Sequence, residues 1–123
     1  MANPNILDAS IVEGENGLIS ATTTPQLFIN NAASSGKIYK VNSLIASNIT
    51  GNIDSEITVS IYSEDNIGGT EYPFARLITV PSNTSLIVID KTTFVYLKED
   101  QSIGVYASGN TEIVCSASWD EIG

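Results

Sequence analysis

The sequence predicts an all-β protein: a single antiparallel β-sandwich, jelly-roll or immunoglobulin-like, of about eight strands. Three observations carry that expectation. β-Branched residues dominate, and apolar residues recur with period two rather than at helical spacings of three and four. Polar turns rich in Gly, Asn and Ser cut these runs at short intervals. The chain has 123 residues and is 42% hydrophobic, enough for one domain with a core that needs neither disulfide nor metal. The expected unit is a domain over 1–123, with residues 1–10 (MANPNILDAS) as a possible N-terminal arm that orders only against a neighbour.

Taken in order, Ile11-Val12-Glu13 and Leu18-Ile19 flank Asn16-Gly17, a pair that tolerates positive φ and so predicts a tight hairpin. A short strand follows over 26–30, opened by Pro25, and 32–36 is small and polar, a loop. Residues 37–48 (KIYKVNSLIASN) form the longest candidate strand. Over 56–63, Ile57, Val59 and Ile61 alternate with Thr58, Ser60 and Tyr62, which predicts one buried face and one that is wet or meets a partner.

Residues 64–72, with Gly68-Gly69, read as a loop, and 74–80 as a strand stopped by Pro81. Over 85–90 the run LIVI predicts a strand covered on both faces. A strand at 94–97 and a turn at 98–101 come next. Residues 102–107 and 112–119 read as a hairpin joined around Gly109-Asn110. The expected core comprises Ile57, Val59, Ile61, Leu86, Val88, Ile103, Val105, Ile113 and Cys115.

Composition excludes several functions. The net charge is −9, with 14 acids against 5 scattered bases, which argues against nucleic acid and against anionic membrane surfaces as partners. The N-terminus lacks the basic and apolar regions of a signal peptide, and no run approaches the length of a membrane helix. Charged residues make up only 15%, so polar neutral side chains or neighbouring subunits must cover the surface, and a homo-oligomer is expected.

Chemistry has few candidates. Cys115 is alone within Ile113-Val114-Cys115 and no histidine exists to activate it, so a buried, inert thiol is expected. Asp54, Glu64, Asp65, Glu71, Glu99 and Asp100 fall mostly in turns, where carboxylates are solvated rather than tuned as a catalytic pair. Within 64–72, Glu64, Asp65, Asn66 and Glu71 offer some oxygens for calcium, without EF-hand spacing. Tyr62, Tyr72 and Phe74 flank the same loop and offer either a stacking platform for sugar rings or packing anchors. Trp119 is expected to pin the last strand to the core or to a neighbouring subunit. The sequons at Asn48 and Asn83 carry no expectation. No catalytic, cofactor-binding or metal-ligating residue is assigned, and the chain is expected not to be an enzyme.

Several segments together resemble small virion structural proteins of tailed phages, especially marine cyanophages. They are the run from Gly36 through Lys37, Ile38, Tyr39, Lys40, Val41, Asn42 and Ser43 to Leu44, then Thr79-Val80-Pro81, and then Ser85-Leu86-Ile87-Val88-Ile89-Asp90-Lys91. Tyr96-Leu97 before an acidic turn, Ser102-Ile103, Glu112-Ile113-Val114-Cys115-Ser116 and Asp120-Glu121-Ile122 continue it, and Ala21 to Thr24 with Asn30-Asn31 fits too. The likeness lies in strands and turns, not in a catalytic signature, and it departs over 55–72. It implies a non-enzymatic virion component, assembled in the host bacterial cytoplasm: most specifically a capsid decoration (cement) protein bound to the major capsid protein. A neck, tail or fibre-attachment component is the alternative within the virion. A carbohydrate-binding module for host glycans is the alternative outside the structural class.

Overall fold

The computed structural model describes residues 11–123, and among them there is no helix. The expected arm at 1–10 lies outside the described residues. Nine strands are formed: β1 (Val12–Ser20), β2 (Gln26–Asn31), β3 (Ile38–Asn48), β4 (Ser55–Glu64), β5 (Gly68–Val80), β6 (Ser85–Ile89), β7 (Val95–Leu97), β8 (Gln101–Ala107) and β9 (Ile113–Ile122). They build two antiparallel sheets. One runs β1-β9-β3-β6 with β7 also on β3, and the other runs β2-β8-β4-β5. With β7 set aside, this is the strand order of a jelly roll, not the immunoglobulin order. Only β4 and β5, among the described strands, are sequence neighbours that pair; the other connections cross between sheets or skip within one.

The core lies between the sheets. Ile29, Val41, Leu44, Ile57, Val59, Ile89, Leu97, Ile103, Val105 and Ile113 are essentially inaccessible. Of the residues expected there, Ile57, Val59, Ile103, Val105, Ile113 and Cys115 are buried, while Ile61, Leu86 and Val88 pack against the core from its rim. The long strand β3 keeps its inward face across a phase change. Tyr39 and Val41 point in, a register shift falls between Val41 and Ser43, and Leu44, Ala46 and Asn48 then take over the inner face. A bulge at Asn42 supplies the extra residue that makes this possible. Trp119 closes one end of the core, stacked on Tyr39 with ring centroids 6.4 Å apart.

The structure corrects five local expectations. Asn16-Gly17 is not a turn: β1 runs straight through it, paired with β9 in one unbroken register. Glycine is there for close approach, because a Cβ on Gly17 would meet the Trp119 and Phe28 rings at 3.1–3.2 Å. The segment 64–72 is not a long loop; β4 and β5 close through a tight turn over 65–67, in which Asn66 and Ile67 take left-handed φ.

The second face of β4 is not wet, since Thr58, Ser60 and Tyr62 are all buried. The hairpin tip folds back over β8, and Tyr62 and Ile67 lie on Gly104, where a Cβ would come within 2.8–2.9 Å of them. The run LIVI is not covered on both faces, because β6 is an edge strand and Ile87 is 62% exposed. Finally, β8 and β9 are not a hairpin. Both flanks of β8 are occupied, by β2 and β4, so the chain crosses to the other sheet through Thr111 in left-handed φ. Period two identifies a strand's faces, not its neighbours.

Candidate functional site

Cys115 sits in β9 between Ile19 of β1 and Ala46 of β3, and only 1% of it is exposed. Burial alone pushes its thiol up to about 12. A thiol held neutral and out of reach is neither a nucleophile nor a ligand.

The turn carboxylates hold loops together across the fold. Asp54 accepts the Ser82 N–H at 3.1 Å, Asp65 the Ala33 N–H at 3.0 Å, Asp100 the Asp65 N–H at 3.1 Å, and Glu99 the Gly36 N–H at 2.7 Å. Glu71 is drawn onto the outer face of the four-stranded sheet, where Ser60 Oγ donates to it at 2.5 Å and the Tyr106 hydroxyl at 3.1 Å. Burial first, and then Glu71, raise the Tyr106 hydroxyl above its ordinary value. Glu64, Asp65 and Glu71 therefore do not converge. Among the described residues, no three His, Cys, Asp or Glu side chains are placed to share a metal ion.

The rings expected to flank a loop are separated. Tyr62 is buried over Gly104, whereas Tyr72 and Phe74 remain 58% and 39% exposed on β5. A three-ring stacking platform is not formed.

What the fold does assemble is the outer face of the five-stranded sheet. The register aligns Leu18, Ser116, Ile45 and Ile87 in one cross-strand row, and Ser20, Val114, Ser47 and Ser85 in the next. Asn16, Ser118 and Ser43 form the row on the other side. These rows contain no charge, in a chain of net charge −9. Leu18 is 79% exposed, and a shallow depression beside it is lined by Ile19, Ser47, Val114 and Ser116. Charge returns one row further along, where Asp120 lies beside Lys40 and accepts from Asn42 Nδ2 at 3.2 Å. There Lys40 Nζ stands 4.5 Å above the Phe94 ring, which meets Tyr96 edge-on.

Sequence reasoning did not single out this face, although its signal was present. Ile19, Leu44 and Cys115 face the core, yet Leu18, Ile45 and Val114 beside them are apolar too. Strands apolar on both faces mark a surface suited to a second cover.

No protein-family model matches the sequence, and no curated protein does. Among solved structures, the chain is similar to a protein described with Bacillus endospore appendages, a family of disulfide-linked pili. The match covers 91% of this chain and 86% of that one, at 15% identity and a TM-score of 0.55. At that identity what the two share is the fold.

Proposed function

We propose that the chain is a non-enzymatic structural subunit, and most specifically a capsid decoration protein on the head of a tailed phage. The observation that carries this reading is the uncharged, partly apolar outer face of the five-stranded sheet, displayed by a strongly acidic chain. Such a face is where a second protein surface can sit without opposing the chain's own charge. The segment resemblance to small virion proteins supplies the setting. Glu99 and Glu71 are tied into the fold by hydrogen bonds and Cys115 is buried in it, so these groups serve the scaffold itself.

The test is localisation and copy number on purified particles that carry this chain. Hundreds of copies by quantitative mass spectrometry, and density over the capsid lattice in a cryo-EM reconstruction, are expected. Absence from the particle overturns the reading.

A second reading keeps the structural role but moves the protein to the neck, tail or a fibre attachment point. The likeness to a pilus protein favours it, because a pilus is a linear assembly rather than a shell. A handful to tens of copies, located away from the head, is its signature.

A further inference from the structure

We propose that the edge of β1 that no described strand covers is a self-pairing seam, through which two copies join antiparallel and fuse their five-stranded sheets into one. The inference rests on the structural-subunit reading and names its partner surface, a second copy of this chain.

The hydrogen bonds at the two ends of β1 fix which groups are free. Ile11 and Gly123 exchange both main-chain bonds, at 3.2 and 3.0 Å, and the Ala21 N–H donates to Ile113 O at 2.8 Å. An antiparallel ladder alternates bonded and non-bonded pairs, so the odd-numbered residues of β1 bond β9. Val12, Gly14, Asn16, Leu18 and Ser20 turn their N–H and C=O groups to the outside. The register with β9 is unbroken over the whole strand, so this outer row is regular.

The other edges are guarded. β5 carries Pro73, irregular register against β4, and Leu77 at φ 50°. β2 has six residues with a register shift at Phe28, β6 has five with a shift against β3, and β7 has three. β1 has no proline and no bulge along its nine residues.

The register follows from the same parity. A two-fold axis normal to the sheet keeps core face beside core face, so paired residues share parity. Centring on Asn16 sets Val12 opposite Ser20, Gly14 opposite Leu18, and Asn16 opposite itself, and every outward residue of β1 is paired. Leu18, 79% exposed in the single chain, then lies beside a glycine that leaves it room. Glu13 falls opposite Ile19 and Glu15 opposite Gly17, so no carboxylate faces another. Sliding by one step toward the N-terminus sets Glu15 against Glu15, which like charges disfavour.

The test exploits Asn16 facing Asn16. Sedimentation velocity over a concentration series should show a dimer for the parent chain. Asn16→Lys and Asn16→Glu, both at an exposed position, should each weaken it about tenfold or more while leaving the circular dichroism spectrum and melting unchanged. An equimolar mixture of the two variants should dimerise again. In the parent, amide exchange of Asn16 and Leu18 should slow on dimerisation, while Glu15 and Gly17 are slow throughout.

A monomeric parent, variants that dimerise like the parent, or a mixture that stays monomeric overturns the seam. So does loss of the dimer on deleting residues 1–10 with Asn16→Lys silent, since that makes the arm the occupant. Particle mass spectrometry is independent: a monomeric chain still counted in the particle overturns the seam alone, and a dimer absent from the particle overturns the structural reading alone.

Discussion

At Cys115 the physics of burial decides what the residue does. Its neighbours Ile113 and Ala117 share the inward face of β9, and the thiol is pushed up to about 12. The folded chain should therefore resist a thiol-reactive disulfide reagent and run as a monomer on a non-reducing gel, while the same reagent titrates it fully in urea. The pH dependence has a definite sign. Below about pH 9 both folded and unfolded states keep the thiol proton; above it the unfolded chain releases its proton first, and stability falls until the folded thiol ionises near 12. Tyr39, Tyr62 and Tyr106 are also raised, each first by burial, and add to the loss above about pH 10. Urea midpoints should be flat from pH 7 to about 8.5 and fall beyond 9, with a shallower fall between 9 and 10 for Cys115→Ala. The burial of Cys115 was legible, because it alternates with apolar residues. The role of Gly17 was not, because a glycine needed for ring contact and one needed for a turn look alike without the Trp119 and Phe28 rings beside them.

Between strands, buried asparagines lock the crossings that make a jelly roll. Asn48 ends β3 at 3% exposure, and its Nδ2 donates to Ile53 O at 2.7 Å and Val80 O at 2.8 Å. Its Oδ1 accepts from the Thr50 N–H at 2.9 Å and hydroxyl at 2.7 Å. One side chain thus holds the start of the β3–β4 connection against the end of β5, and its burial leaves no room for a glycan at that sequon. Asn48→Ala takes this donor from Val80 O in a buried site, while Ile53 O, on an exposed residue, keeps the Thr50 hydroxyl at 2.7 Å. It should lower the urea-derived stability by about 1–3 kcal/mol, the cost of one unsatisfied buried group. Asn31 does the same between β2 and Leu97, donating to Lys37 O and Leu97 O. Neither lock stood out in the sequence, where Asn reads as a turn former. The strands they join were legible almost throughout, because alternation reports faces directly. The β8–β9 pairing was misread because that signal says nothing about which strand lies alongside.

For the whole molecule, charge and cysteine content constrain how copies can meet. The similar pilus protein belongs to a disulfide-linked family, but this chain has one cysteine and folds it inside. A contact between copies of this chain would then form without a disulfide. Each copy carries a net −9, so bringing two together costs work against their mutual repulsion unless ions screen it. The β1 seam contributes main-chain bonds and the face beside it uncharged surface; the seam's only charges are the like-signed Glu13 and Glu15, so salt has no attraction there to weaken. The Debye length contracts from about 30 Å at 0.01 M to about 8 Å at 0.15 M. Self-association should therefore tighten several-fold as sodium chloride rises across that range and level off above it, as read by the dimer dissociation constant in sedimentation. An interface built instead on Lys40 and Asp120 would lose its attraction to the same screening. A dissociation constant that rises with salt would locate the contact there and away from β1.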